Sequence, residues 1–316
     1  MKKISGKYEN NLPDLDKRPQ KRYMNLVESH FKPNQRLATA SQAKMGTSSS
    51  WTATQAAWRF YANQNTSLSK LSSPLIKASC EGIVEHCQKY ALVVHDWSGL
   101  NYTPHESKRN RQVLHHRYEQ GYELPSSIVL SDRHGIPLGV LAPNLTTGNG
   151  VWSSYQGDNL PPEPEHLQEL STRVKWLEQQ LMAKRQVPIV DREGDAMEWL
   201  RANRESYWRF RGRQNSTVSY GGTRYQVRQL APPLTYSPGC GEIKYKGKVA
   251  YQTTAHLAVD WVRAAQPKRQ QTDKNQLIKG DAWSAQLMVS RVEDRHGKGL
   301  SPWYWLRNSP KLTPHF

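Results

Sequence analysis

Two short apolar runs, each closing on an aspartate, organise the polarity pattern of this chain. Val187-Pro188-Ile189-Val190 ends on Asp191, and Arg192-Glu193-Gly194-Asp195 then leads into the helix-like Ala196-Met197-Glu198-Trp199-Leu200. A short apolar run followed by an acid, a glycine and a helix-type segment reads as a buried strand that delivers a carboxylate to the rim of a sheet. Ala91-Leu92-Val93-Val94 repeats the pattern and, after His95, closes on Asp96. Adjacent strands of one sheet would set both acids side by side. The plainer alternative is that the acids only cap strand ends, as they do in many α/β proteins.

The remaining pattern fills in around these strands. The Gly46-to-Ser50 stretch reads as a turn, with Ser50 placed to cap a helix over Trp51–Tyr61. Trp51, Thr54 or Gln55, Trp58 and Tyr61 fall on one stripe of that helix, the spacing of core packing. A second helix is expected over Leu71–Tyr90. Glu123–Leu130 and Ile136–Leu141 read as two strands joined by Asp132-Arg133-His134-Gly135, an antiparallel hairpin beside the first aspartate strand. After Leu160-Pro161-Pro162-Glu163-Pro164, the spacing of Leu167, Leu170, Val174, Leu177 and Leu181 predicts the longest helix, packed on the sheet. Its heptads are too few for a coiled coil. Tyr207 to Arg213 alternates aromatic and arginine, which on a strand puts Arg209, Arg211 and Arg213 on one face. Residues 214–300 are rich in Gly, Pro, Thr and Tyr, with short alternating runs such as Ala255–Trp261, and read as β-rich. Trp303-Tyr304-Trp305-Leu306 reads as a final short strand.

Charge narrows the possible partners. The 316 residues carry 44 Lys plus Arg against 27 Asp plus Glu, a formal +17, which favours a polyanion, nucleic acid first. The length allows one large domain with a smaller one or an inserted module. No apolar run approaches the roughly 20 residues of a membrane span. Met1-Lys2-Lys3-Ile4-Ser5-Gly6 lacks the apolar core of a signal peptide, so a cytoplasmic protein without a membrane partner is expected. The basic Asp16–Arg22 stretch, leading into Tyr23–Val27, suits phosphate contact, although such runs are most often solvated faces. Further charge gathers at Lys108–Arg111 and His115–Arg117. Cys80, Cys87 and Cys240 fit neither a disulfide framework nor zinc-finger spacing and read as reduced thiols. Cys80, His86 and Cys87 lack an evident fourth metal ligand. The adjacent His115-His116 pair reads as part of a polar loop.

The order of elements resembles the insertion-sequence-four family of bacterial cut-and-paste transposases, over nearly the whole chain. Asp191-Arg192-Glu193-Gly194-Asp195 is similar to the family's Asp-Arg-Glu-small-Asp around its second catalytic aspartate. Asp96, with Ser98 and Tyr102 downstream, is similar to the first catalytic aspartate and its Ser-x-x-x-Tyr. Ala57-Trp58-Arg59-Phe60 matches an Ala-aromatic-Arg-Phe helix of the N-terminal DNA-binding region, and Arg211 matches a basic position after the second aspartate. The resemblance implies an α/β fold, a ribonuclease-H-like mixed sheet with an N-terminal helical region and a β-rich insertion. The implied divisions are a helical DNA-binding region (1–88), the catalytic core (89–213), the insertion (214–300) and a last core strand with a truncated C-terminus (301–316).

It further implies Asp96 and Asp191 as catalytic ligands of Mg2+ or Mn2+. Arg59, Arg209, Arg211 and Arg213 would meet DNA. The partner would be the double-stranded ends of a transposon, held by a homodimer in a synaptic complex. The family's third acid lies in a Tyr-x2-Arg-x3-Glu-x6-Lys helix after the last core strand, and no such motif occurs in these residues. Arg201 and Glu205 have the Arg-to-Glu spacing but no Tyr, and they fall on a different helix. Strand cleavage of this type uses two divalent ions about 4 Å apart, so impaired cleavage is expected unless another acid, such as Glu193 or Glu293, takes the third place. The rivals are a catalytically inactive DNA-binding remnant and a basic nucleic-acid-binding protein with no enzymatic past.

Overall fold

The computed structural model describes residues 12–31, 48–155, 157–160, 166–180, 184–191, 199, 207–261 and 283–308. The readings made on Arg192–Asp195, Arg201, Glu205, Gly46, Leu181 and the prolines at 161, 162 and 164 lie outside them. The architecture is mixed α/β, a large mixed sheet with a few helices. The chain divides into two compact units: residues 1–88 with 97–164, and residues 89–96 with 165–316.

The first unit opens with helices α1 (Lys17–Phe31), α2 (Ser48–Tyr61) and α3 (Leu68–His86). Ser67 caps α3: its backbone is extended and its Oγ accepts from the Lys70 N–H at 3.2 Å, satisfying a donor that the first turn leaves free. Helix α3 buries Ser72, Pro74, Ser79, Gly82 and Ile83. The strands of this unit are β2 (Gln112–Val113), β3 (Gln120–Ser131), β4 (Pro137–Val140), β5 (Leu145–Thr147), β6 (Gly150–Ser153) and β7 (Gly157–Leu160), together with the end of β1 (Tyr90–Asn101). Strand β3 pairs antiparallel with β2, β4 and β5, and β5-β6-β7 continues the order.

Helix α3 lies on β4 at very close range. A Cβ at Gly139, whose φ is +157°, would come 2.1 Å from Ser79 Oγ, so only glycine lets the strand pass. The Ser79 hydroxyl is shared between Leu75 O at 2.8 Å and Val140 O at 3.1 Å, which ties helix to strand. The expected β3–β4 hairpin is present, with Gly135 in the turn at φ +64°.

Two expectations are corrected in this unit. On α2 the expected core stripe is open at Trp58, 70% exposed, and at Tyr61, 59% exposed, whereas Phe60 is buried; the Trp51 side chain lies outside the described residues. Spacing along a helix identifies a stripe, but the neighbouring element decides which side is covered. The helix expected to reach Tyr90 ends at His86. There Ser131 Oγ donates to His86 O at 2.7 Å and Asp132 Oδ1 accepts from Gln88 N at 2.7 Å, both from the β3 turn. Cys87 is buried with its thiol 4.0 Å from Leu130 O, and Cys80 is a half-buried free thiol pushed up by burial and by Glu81. His86 lies 3.5 Å from Glu85, so these residues serve helix packing and surface pairing.

The second unit holds the first part of β1, helix α4 (His166–Gln180), β8 (Arg185–Val190), β9 (Arg209–Arg211), β10 (Thr217–Tyr220), β11 (Thr223–Gln226), the short α5 (Val227–Leu230), β12 (Ser237–Tyr245), β13 (Lys248–Trp261), β14 (Trp283–Glu293) and β15 (Gly299–Arg307). The strand order is β11-β10-β13-β14-β15-β9-β8-β1, with β12 on β13. Strand β8 is parallel to both β1 and β9, and the other pairs are antiparallel. Alternation divides the sheet into two faces. His95, Val190, Phe210, Leu306 and Leu287 follow one another across paired strands of one face, and all are buried. Helix α4 packs against β8 through the expected spacing, with Leu170, Val174 and Leu177 all fully buried.

Each such side chain contributes about 1.5–3 kcal/mol by burial. Leu177→Ala should therefore lower the unfolding free energy by about 2–5 kcal/mol in a denaturant titration. Val84→Ala, at a site 63% exposed, should change it by less than about 0.5 kcal/mol.

Candidate functional site

The pairing of β1 with β8 runs in parallel register from Tyr90↔Arg185 to His95↔Val190, the last residue of β8. The next residues are Asp96 and Asp191, which stand at one level of neighbouring strands; β8 stops there as expected, whereas β1 does not close on Asp96 but runs on to Asn101. Parallel neighbours lie about 4.7–4.9 Å apart. His95 and Val190 point into the core, and by the period of two the aspartates turn to the other face, where both are exposed. Strand polarity alone had placed the acids at a rim, and the register makes them adjacent.

That outward face continues across the sheet with a distinctive composition. Next to Ile189 lies Arg209 of β9; Arg211 and Arg209 then face Trp305 and Arg307 of β15, and Met288 and Gln286 of β14 follow. All these side chains are half-buried. Arg211 Nη1 lies 3.7 Å from Asp191 Oδ1, and the same guanidinium sits 4.4 Å from the centroid of the Trp303 ring. Trp303 and Trp305 are stacked with centroids 6.1 Å apart. The Arg211–Asp191 pair is largely solvated, so its contribution to stability is about 0–1 kcal/mol. Its consequence is positional: one guanidinium is held between a carboxylate and an indole.

Beside Arg211 opens a cleft of about 720 Å³ between residues 211–217 and 302–304, lined by Arg211, Arg213, Gln214, Asn215 and Trp303 among others. Gly212 forms its floor, its N–H donating to Tyr304 O at 2.8 Å, and a Cβ there would meet Leu306 Cδ1 at 2.7 Å. The expected strand face with three arginines is corrected here. Strand β9 ends at Arg211, and Arg213 belongs to the following turn, where Ser216 N donates to Arg213 O at 3.0 Å. The close approach of Gly212 to β15 ends the alternation. Arg59 is exposed on α2 in the first unit.

Beneath the acids lies a buried polar group that sequence reasoning missed. Arg173 of α4 is fully buried and pairs with Glu169 at 3.2 Å one turn away. His95, directly before Asp96, is 1% exposed, and its imidazole is held well below the ordinary value of 6.5, first by burial and then by Arg173. The signal was the polar pair at helical spacing inside the apolar stripe of α4. Trp303, Trp305 and Arg307 were missed likewise. Their alternation on β15 mirrors Arg209-x-Arg211, but the face they share shows only once β9 and β15 are paired.

The donor set can be tested against divalent ions. Two exposed carboxylates on neighbouring strands could supply two ligands to one hard cation, with water in its remaining positions. Among the described residues no group of three His, Cys, Asp or Glu side chains could hold a metal ion, and Glu293 therefore does not complete the pair. Glu193 lies outside the described residues. The described donors fit one ion and not two.

No family model matches the chain, and no curated protein matches its sequence. Among the described residues no helix is long and apolar enough to cross a membrane.

The lowered imidazole has a consequence for stability. The unfolded chain takes up a proton at His95 near pH 6.5 while the folded chain resists it, so this contribution is complete above that value and is lost as pH falls below it. Chemical denaturation of the wild type should show a midpoint that falls between pH 7 and pH 5. A His95→Gln variant should show a shallower fall over the same interval.

Proposed function

We propose that this protein binds duplex DNA and acts as a transposase-like, metal-dependent handler of DNA ends, on a ribonuclease-H-like sheet. The observation that carries the reading is the placement of Asp96 and Asp191 directly after the last paired residues of the parallel strands β1 and β8, on a face that continues into arginines and tryptophans. The sequence resemblance described above supports it, as does the net charge of +17. In this reading Asp96 and Asp191 hold one Mg2+ or Mn2+, which when bound supplies charge neutralisation at a scissile phosphate. Arg211 and Arg213 meet backbone phosphates beside the metal, Arg209 extends the contact along the face, and Arg59 meets DNA from the first unit. The substrate is a transposon end, and a homodimer holds two such ends.

A second reading, a DNA-binding protein without nuclease activity, is favoured by the donor set. Two-metal phosphoryl chemistry needs both the attacking and the leaving oxygen to be clamped. Two aspartates, one of them already facing Arg211, do not hold two ions in register. Binding and cleavage are therefore expected to part.

Three measurements separate the readings. Calorimetric titration with Mn2+ should show about one ion bound per wild-type chain. Asp96→Asn and Asp191→Asn should each lose most of that binding, and equal binding in all three proteins would sink the metal assignment. Duplex affinity should fall with salt along a log-log line whose slope is about −0.9 per phosphate contact, with Arg211→Ala weaker and less salt-sensitive; an affinity flat in salt rejects the phosphate reading. In a nicking assay with Mg2+, the 316-residue chain should bind a cognate end and leave it uncut. Fusion to a segment carrying the Tyr-Arg-Glu-Lys helix should restore nicking, and the same fusion with that Glu changed to Gln should not. Robust nicking by the unmodified chain would show that another acid completes the site.

A further inference from the structure

We infer that the outer edge of β12 pairs with the same edge of a second copy of this chain, in a two-fold antiparallel contact centred on Ile243. The inference gives a surface to the homodimer of the reading above, and it rests on that reading only for what such a dimer would do.

Strand β12 pairs with β13, and among the described residues no group bonds to its other side. An open strand edge carries unpaired N–H and C=O groups that another strand can take up. The hairpin shows which ones. Lys246 and Gly247 form a two-residue turn with φ of +49° and +77°, the primed conformation that closes on a hydrogen-bonded pair, here Tyr245 and Lys248. Because antiparallel pairs alternate, Ile243 bonds toward β13, while the backbone groups of Glu242 and Lys244 face the open side. The other end of the edge is closed. Pro238 has no N–H to donate, and the register shifts between Pro238 and Gly241. The usable stretch is therefore Gly241–Tyr245.

Charge complementarity selects the occupant. Antiparallel pairing of this stretch with itself about Ile243 sets Glu242 of each copy opposite Lys244 of the other. Opposite charges directly across from each other stabilise a strand pair. These are also the two residues whose backbone faces outward, so each Glu–Lys position is a hydrogen-bonded one. Ile243 then meets itself at the closer, non-bonded position, and Tyr245 falls opposite a glycine. Glu242 and Lys244 are exposed, and among the described residues neither has an ion-pair partner. Charges on an edge ordinarily hold other strands off. Of opposite sign and spaced evenly about a centre, these reject most strands and accept their own copy. A two-fold contact uses the open edge of both chains, so assembly closes at a dimer. So short a stretch buries much less than the roughly 1,200 Å² of a stable interface, and the association is weak and salt-sensitive.

Sedimentation velocity of the full 316-residue chain at low salt should show a monomer–dimer equilibrium that moves toward dimer as concentration rises. Glu242→Lys and Lys244→Glu each set like charges across the two-fold, and each should stay monomeric where the wild type is dimeric. The double variant, Glu242→Lys with Lys244→Glu, restores the opposition and should dimerise again. Mixing the two single variants should give a heterodimer, because the lysines of one chain then face the glutamates of the other. That rescue also shows that both single variants are folded.

A wild type that stays monomeric up to its solubility limit overturns the inference, as do single variants that dimerise like the wild type. A dimer lost in the single variants and recovered in neither the double variant nor the mixture overturns the two-fold register. If the dimer fails while duplex affinity still falls with salt, only the interface is rejected and the nucleic-acid reading stands. A dimer that follows the charge pattern, in a protein whose duplex affinity is flat in salt, supports the interface and rejects that reading instead.

Discussion

The parallel register between β1 and β8 is the constraint on which the rest of the candidate site depends. It fixes His95 against Val190, and because side chains alternate, it fixes Asp96 and Asp191 together on the opposite face. A slip of one residue would turn one acid inward and one core side chain outward. The slip is prevented by the dry face below, where Ala91, Val93 and Val190 are buried and α4 contributes Leu170, Val174 and Leu177. Hydrophobic burial on one side of the sheet thus determines carboxylate geometry on the other.

The open face has the opposite character. Arg211 is held by Asp191 and the Trp303 ring, and Arg209 stands opposite Arg307 on the paired strands. The Arg173–Glu169 pair beneath this region is buried. It joins two residues one turn apart on α4, and removing either partner would leave the other charge buried.

The first unit is built by different means. Close backbone approach joins α3 to β4 at Gly139 and Ser79, and side chains of the β3 turn finish the helix through Ser131 and Asp132. These are short polar contacts that local sequence foreshadows only as turn residues. The exposed Trp58 and Tyr61 on α2 show the limit of a helical stripe read by itself, since the residue actually covered is Phe60.

Several features were determined by the sequence alone, because they depend on neighbours within a few positions. The apolar run that stops before Asp191, the apolar spacing of α4 and the turn after β3 are local patterns that appear in the fold close to where they were expected, whereas the run that reaches Asp96 continues as strand to Asn101. The tertiary structure decided which strands became neighbours and in what register. Asp96 and Asp191 are far apart in the chain, as are Arg209 and Arg307, and no local pattern states that they will meet. The end of β9 at Arg211 was likewise decided from outside, by the approach of Gly212 to β15. Backbone hydrogen bonds between strands are indifferent to side-chain identity. Register is therefore chosen by the packing of the whole buried face, and the charges on the open face take the positions that this packing gives them.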